Sequence, residues 1–313
     1  MDSNFNVIQQ LLQERADYQA RLNLIPYDGS PEVKENSSGK YLYIRKRVNG
    51  RLTSTYVDVY SDDLYQLLLR NTKEARELKK QIRRVDKELA ANGYTQNELS
   101  PEVVSNLDFA RVNMKSNIYD QAVLEGVATT FPQTEEIIEN GTVNGMTADD
   151  VQKILNLKHA WEFILDNDVI QADSNYYLLC HIAKLVNEGF FYDGGRIRGV
   201  PVSIGGTKYV PPLPIESQVI ERINEILKSD KEPLDIAIEL CMYCMRTQIF
   251  MDGNKRASVI FANHYMISHG LGLIIIPENH VPEFKKKLVA FYESADISEI
   301  SDYLKQTCLK KMK

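Results

Sequence analysis

The stretch Gln248-Ile249-Phe250-Met251-Asp252-Gly253-Asn254-Lys255-Arg256 lies between two apolar segments that read as helices, Leu234 to Thr247 and Lys255 to His269. The first holds Ile236, Ile238, Leu240, Met242 and Cys244; the second holds Val259, Ile260, Ala262, Met266 and Ile267. A short polar loop with Gly and Asn that runs directly into a helix start is a ready anion site. Free backbone N–H groups point out of the helix mouth, and the dipole favours negative charge there. Asp252 adds a hard oxygen ligand suited to magnesium, while Lys255 and Arg256 add cations. Phosphate, metal and cation together point to a nucleotide. The same residues also read as a capped helix–helix turn, because Gly-Asn turns before helices are common. Loop chemistry alone favours neither reading.

With 313 residues the chain has room for one large or two modest domains. A net charge of -6 argues against a surface that coats nucleic acid overall. No apolar run approaches membrane-spanning length, and the start, Met1-Asp2-Ser3-Asn4-Phe5, has no basic segment followed by an apolar one. The expectation is therefore a cytoplasmic protein without a membrane partner. Cys180, Cys241, Cys244 and Cys308 sit in apolar helical surroundings, as reduced core thiols do. Cys241-Met-Tyr-Cys244 has metal-ligand spacing, but no second pair follows at zinc-module distance.

Upstream, residues 3–24 read as a helix with Phe5, Ile8, Leu11, Leu12 and Leu22 on one side. Pro26 to Pro31 is turn-rich. Lys40 to Val48 and Arg51 to Tyr60 are strand-like, joined by Asn49-Gly50, a strong hairpin signal. Ser61 caps a long helix reaching about Ala91, whose apolar residues recur close to every 3.5 positions, and Asn92-Gly93 ends it. Arg45, Lys46, Arg47 and Arg51 interleave with Tyr41, Tyr43 and Tyr56. That pattern can grip nucleic acid, although strand alternation alone produces it on a solvated face, and the solvated face is favoured.

Ser100-Pro101 starts a helix expected to continue through Met114 to Leu124. Helices follow at Thr134–Glu139, after Thr147, and over Ser174–Asn187, with the single Trp161 read as core. Gly194 to Pro212 breaks the pattern, and two short strands around Gly205-Gly206 are expected. Glu216–Ser229, Val281–Tyr292 and Ile297–Lys311 read as helices, with Leu271–Ile276 a short apolar run, possible as a strand. The fold class is mainly α.

The stretch Phe250 to Arg256 resembles the signature of the Fic/Doc (Fido) family, His-x-Phe-x-Asp-Gly-Asn-x-Arg, and fits best its Gly-Asn-Lys-Arg subgroup. The resemblance covers roughly residues 115–310. It implies a Fic-type helical core over 131–313 with a β-hairpin flap, preceded by a helix–β-hairpin–helix region over 1–94 and a linker helix over 95–130. It further implies transfer of AMP from ATP to a hydroxyl of a target protein, with Mg2+ on Asp252. Phosphate would be held by Gly253, Asn254, Lys255, Arg256 and Thr207, and Phe250 would anchor the loop. The flap, Ile204, Gly205, Gly206 and Thr207, would register the target by strand addition. Gln121-Ala-Val-Leu-Glu125-Gly126 resembles the family's inhibitory segment, which makes Glu125 an autoinhibitory carboxylate.

Three positions depart from the family pattern. Gln248 stands where the catalytic His belongs, and an amide does not titrate near neutral pH. Lys255 matches the toxin-like death-on-curing members, which move the terminal phosphate, so protein phosphorylation is an alternative. A nucleotide-binding protein without transfer activity is a second. Val259 stands where a second Arg pairs with the inhibitory Glu, so either Glu125 pairs with Arg256 instead or the restraint is absent. His264 lies too far into the next helix to be taken as a substitute base.

Overall fold

The computed structural model describes residues 2–27, 29–48, 51–94, 99–141, 143 and 145–312. It divides into two compact units, Met1–Thr95 and Gln96–Lys313.

In the first unit, α1 (Asp2–Leu24) and α2 (Asp62–Ala91) pack through Leu11, Val85 and Leu89, with Ile8, Leu12 and Tyr18 against them. Ser61 caps α2, its hydroxyl accepting from the Leu64 amide at 3.2 Å. Between the helices lies an antiparallel sheet in the order β1 (Ser30–Asn36), β2 (Gly39–Val48), β3 (Arg51–Val59). The expected hairpin is thus a three-stranded sheet. Pro31 hid β1 from a reading by pattern, yet proline is tolerated on an edge strand, and Pro31 pairs opposite Ile44. The Asn49-Gly50 turn lies outside the described residues. Leu42 and Ile44 bury one face of β2 against Leu68 of α2, so Tyr41, Tyr43, Arg45 and Arg47 fall on the opposite face.

The second unit is helical. α3 (Pro101–Val112) and α4 (Met114–Leu124) are separate, because Asn113 leaves helical geometry at φ -93°, ψ 2° where one continuous helix was expected. Then come α5 (Phe131–Asn140), α6 (Ala148–Ile164), α7 (Tyr176–Val186), α8 (Glu216–Leu227), α9 (Pro233–Thr247) and α10 (Asn254–Ser268). α10 is the axis. It is buried on every side from Arg256 to Ile267, its polar members Arg256, Ser258, Asn263 and His264 each hydrogen-bonded, and is packed by α3, α6, α7 and α9. Asn263 ties it to β4 (Leu273–Ile274), donating to the Ile274 carbonyl at 2.8 Å and accepting from its amide at 2.9 Å.

The chain closes through α11 (Val281–Ser294) and α12 (Ser298–Tyr303). The helix expected to Lys311 stops early. A π-type turn, Leu304–Cys308, leads into β5 (Leu309–Lys310), which pairs antiparallel with β4. Among the described residues no helix is long and apolar enough to cross a membrane. Cys241, Cys244 and Cys308 are buried free thiols, and burial pushes Cys241 and Cys308 each up to about 12, so both are neutral at pH 7.

Candidate functional site

α9 ends at Gln248, whose backbone is left-handed at φ 49°, and α10 begins after Gly253, also left-handed at φ 73°. Between them Phe250 is buried, as an anchor requires. Asn254 closes the loop on itself. Its carbonyl oxygen accepts from the Phe250 amide at 2.9 Å, and its Nδ2 donates to the Phe250 carbonyl at 2.8 Å. The first ladder bond of α10 runs from the Ala257 amide to the Gly253 carbonyl at 2.8 Å. The amides of Asn254, Lys255 and Arg256 therefore precede the ladder and open toward the helix mouth.

A cavity of about 520 Å³ lies over this mouth, within the range of small-molecule sites. The loop contributes Gln248, Asp252, Gly253, Asn254 and Lys255, facing Glu125, Ile204, Gly205, Gly206, Lys285 and Tyr292. Arg256 lies beneath, its side chain only 3% exposed. Its guanidinium donates to the Val186 carbonyl at 2.7 Å and to the Asp252 carboxylate at 3.0 Å. Glu125, at the end of α4, sits 3.7 Å from Arg256 Nε and 3.7 Å from Lys255 Nζ. The carboxylate thus faces the loop's two cations at once, and with Val259 where the family has its second Arg, Arg256 is its buried neighbour.

Gln248 is held at both ends. Its Nε2 donates to the Met245 carbonyl at 2.6 Å, and its Oε1 accepts from Asn254 Nδ2 at 3.2 Å. Among the described residues no histidine lines the cavity, and its carboxylates face cations: Asp252 faces Arg256, and Glu125 faces both Arg256 and Lys255. Burial, reinforced by the Glu125 charge, raises the Tyr292 phenol well above its ordinary value. His264 is committed elsewhere in the core: its Nε2–H donates to the Val169 carbonyl at 2.9 Å and its Nδ1 accepts from Ser174 Oγ at 2.8 Å. Burial pushes its pKa down to about 4.

The expected flap strands do not form a ladder. The segment around Gly205-Gly206 is a turn whose flanks belong to no strand. Thr207, expected at the nucleotide, does not line the cavity. Its hydroxyl donates to the Glu293 carboxylate at 2.9 Å, and the Lys208 amide donates to the same oxygen at 3.1 Å.

Three positioning residues gave little sequence signal. Asn187, just past α7, donates to the carbonyls of Gly194 at 3.0 Å and Asp252 at 2.9 Å, so it holds the loop from behind. Arg198 is buried and donates to the Gln248, Val200, Pro211 and Pro212 carbonyls, tying the flap segment to the loop. Gln121 donates to the Arg256 carbonyl at 2.9 Å and accepts from the buried Trp161 indole at 2.9 Å. Where the family has Ser or Thr, Gln121 instead braces the loop's last residue against the core. Polar residues at helix ends look ordinary in a sequence; only the fold shows which carbonyl each one reaches.

Gly253→Ala tests the loop's geometry. A Cβ there lies 2.7 Å from Asn187 Oδ1 and 2.9 Å from its Nδ2, and the left-handed backbone adds about 1 kcal/mol. We expect a destabilisation of about 2–4 kcal/mol, read by thermal unfolding. A melting curve unmoved from wild type counts against the loop's close packing.

The Fic/DOC family model matches residues 174–266, which span α7, the flap segment, the loop and nearly all of α10. The chain carries a Fic/DOC-family domain. Residues 6–66 match a second family, described only as a domain of unknown function, DUF6788. Over 196 residues this Fido-domain chain is 26% identical to the protein adenylyltransferase Fic of Drosophila yakuba and 25% identical to that of Drosophila melanogaster. The matches take in 60% of this chain but only 38% and 39% of those relatives, so the chain spans about two fifths of their length. Among solved structures, Fic-1 (residues 134–508) from C. elegans superposes with a TM-score of 0.55 at 18% identity, covering 79% of this chain and 74% of that one. A Fic-domain-containing signaling protein from Bacteroides thetaiotaomicron gives 0.54 at 18% identity, covering 71% and 91%. These likenesses establish the fold.

Proposed function

We propose that the Fido-domain loop binds magnesium–ATP and that the protein modifies hydroxyls of a target protein by AMP transfer, slowed by Gln248. The observation that carries this reading is one cavity lined by the mouth of α10, Asp252 and Lys255, with the buried Arg256 beneath it. The name of the Drosophila relatives, protein adenylyltransferase, supports AMP as the transferred group.

The residues present fit a magnesium ion that arrives with its nucleotide. Asp252 is a single half-exposed carboxylate steadied by Arg256, and magnesium in such sites takes one or two carboxylates and draws its remaining ligands from phosphate and water. Once bound, the metal would neutralise charge on the phosphates. The open amides of α10 and Lys255 would cradle them, and Gly253 lets Asn187 pack close behind the loop. A target segment would lie along the flap flank beside Ile204, Gly205 and Gly206, presenting its hydroxyl to the cavity. Gln248 can orient that hydroxyl but cannot take its proton.

Glu125 occupies the anion's place beside Lys255 and Arg256. Removing it as Glu125→Gly is expected to tighten magnesium–ATP binding roughly tenfold, or ~1.4 kcal/mol, measured by calorimetry. Equal affinities would refute the inhibitory role, and no binding by either protein would refute the nucleotide reading. One observation favours a second reading, nucleotide binding without transfer: the Gln248 amide is already committed to Met245 and Asn254.

A further inference from the structure

Residues 1–95 carry 16 Lys and Arg against 13 Asp and Glu, whereas the rest of the chain carries 21 against 30. The excess positive charge concentrates on α2. At 3.6 residues per turn, Lys73, Arg76, Lys79, Lys80, Arg83, Arg84 and Lys87 fall within an arc of about 140°. Between positions 73 and 87 no other residue falls in that arc, so the face is wholly cationic over a rise of about 21 Å. All but the half-buried Lys79 are exposed.

Neutralisation of this face is partial. Arg84 pairs with Glu14 at 2.9 Å and lies 3.7 Å from Glu88, Lys80 lies 3.9 Å from Glu77, and Lys79 has a partner of its own. Among the described residues Lys73, Arg76, Arg83 and Lys87 form no ion pair; Arg76 reaches the Ser30 hydroxyl at 3.4 Å and Arg83 the Lys79 carbonyl at 3.1 Å. Like charges three and four positions apart weaken a helix, so this face carries a standing cost that alternating Glu would remove.

The sheet's basic residues are differently placed. Glu32, on the strand β1, lies 3.9 Å from Arg45 and 3.8 Å from Lys34. The Tyr43 ring packs edge-on against Tyr56 at 5.6 Å and carries Lys34 Nζ at 4.1 Å. These rings are occupied by their neighbours rather than splayed to stack on bases.

The geometry points to the cationic face of α2 as a docking surface for the phosphate backbone of a double-stranded nucleic acid. A continuous row of cations without apolar or aromatic members, four of them in no ion pair among the described residues, matches a phosphate ladder, and the lack of free rings disfavours single strands. Membrane insertion requires an apolar flank, and the apolar side of α2 is buried on Leu11 and Leu42.

The full chain is titrated into a fluorescent 25-base-pair duplex, as DNA and as RNA, with anisotropy as readout. Engaging about four phosphates implies a salt slope near −4 and roughly a hundredfold loss of affinity between 50 and 200 mM salt. The variant Lys73→Gln, Arg76→Gln, Arg83→Gln and Lys87→Gln keeps good helix formers and is checked for an unchanged melting curve. It is expected to flatten the slope and to lose at least a hundredfold in affinity at the lower salt. The assignment is overturned by any of the following: no duplex binding, wild-type binding by the variant, tighter binding of a single strand, or equal binding of polyglutamate or anionic vesicles. Loss of binding on Arg45→Ala with Arg47→Ala, in place of the helix variant, would also overturn it.

Discussion

Gln248→His is expected to raise the rate of AMP transfer by about 10²–10⁴, the usual contribution of a positioned general base. The assay follows label from α-labelled and γ-labelled ATP into protein. The backbone already suits the change: position 248 is left-handed at φ 49°, a conformation His adopts more readily than most side chains. The side chain at 248 lines the cavity beside Asp252 and the mouth of α10, and no histidine among the described residues lines it. Positioning and charge neutralisation survive without the base, and phosphoryl transfer draws much of its rate from them, so a slow wild-type reaction fits the same picture. Label from the α position in both proteins, faster with His, is the expected pattern. Label from the γ position would mean phosphate transfer, in line with Lys255. Transfer by the His variant alone would make the native chain a nucleotide-binding protein without chemistry. Identical rates would mean that residue 248 does not limit the reaction.

Arg198→Ala is expected to destabilise the second unit by about 3–5 kcal/mol, lowering its melting temperature by roughly 10 °C. Arg198 has a main-chain and a side-chain role in the same junction. Its amide donates to the Ile249 carbonyl at 2.9 Å, and its guanidinium donates to Gln248 at 2.5 Å, Val200 at 2.8 Å, Pro211 at 3.3 Å and Pro212 at 2.5 Å. Among the described residues no carboxylate pairs with it; carbonyl dipoles hold the charge, and burial lowers its pKa. Truncation leaves those carbonyls without their donor in a place with little water, the costly half of losing a hydrogen bond. Arg198→Lys, with a single ammonium, reaches fewer of them and should fall between. Because the same contacts join flap to loop, nucleotide affinity should fall with stability. A melting curve moved by less than about 2 °C would show that the flap and loop are held by other contacts.

Much was legible from residue order because the relevant physics is local. The loop Phe250 to Arg256, the caps at Ser61, Ser100 and Thr147, and the stop at Asn92-Gly93 depend on neighbours in the chain. The apolar residues Val259, Ile260, Ala262, Met266 and Ile267 marked a helix after the loop, and the structure makes it central. The pairing of Glu125 with Arg256 was foreseeable only as one of two outcomes once Val259 removed the family's partner, and the structure puts them 3.7 Å apart.

What residue order left open required distant segments to meet. β1 was hidden because Pro31 reads as a turn until β2 lies beside it, and the flap strands were expected where the chain in fact forms no strand. The last turn of α12 gives way to β5 because β4 offers that segment a strand partner. Thr207 turned to Glu293, 86 positions away, and His264 to Val169, 95 positions away. The sequence alone determined which groups can meet a polyphosphate, because helix starts, glycines and charges act at short range. The tertiary structure alone decided which groups are spent on holding one another, because hydrogen bonds between remote segments leave no periodic trace in the chain.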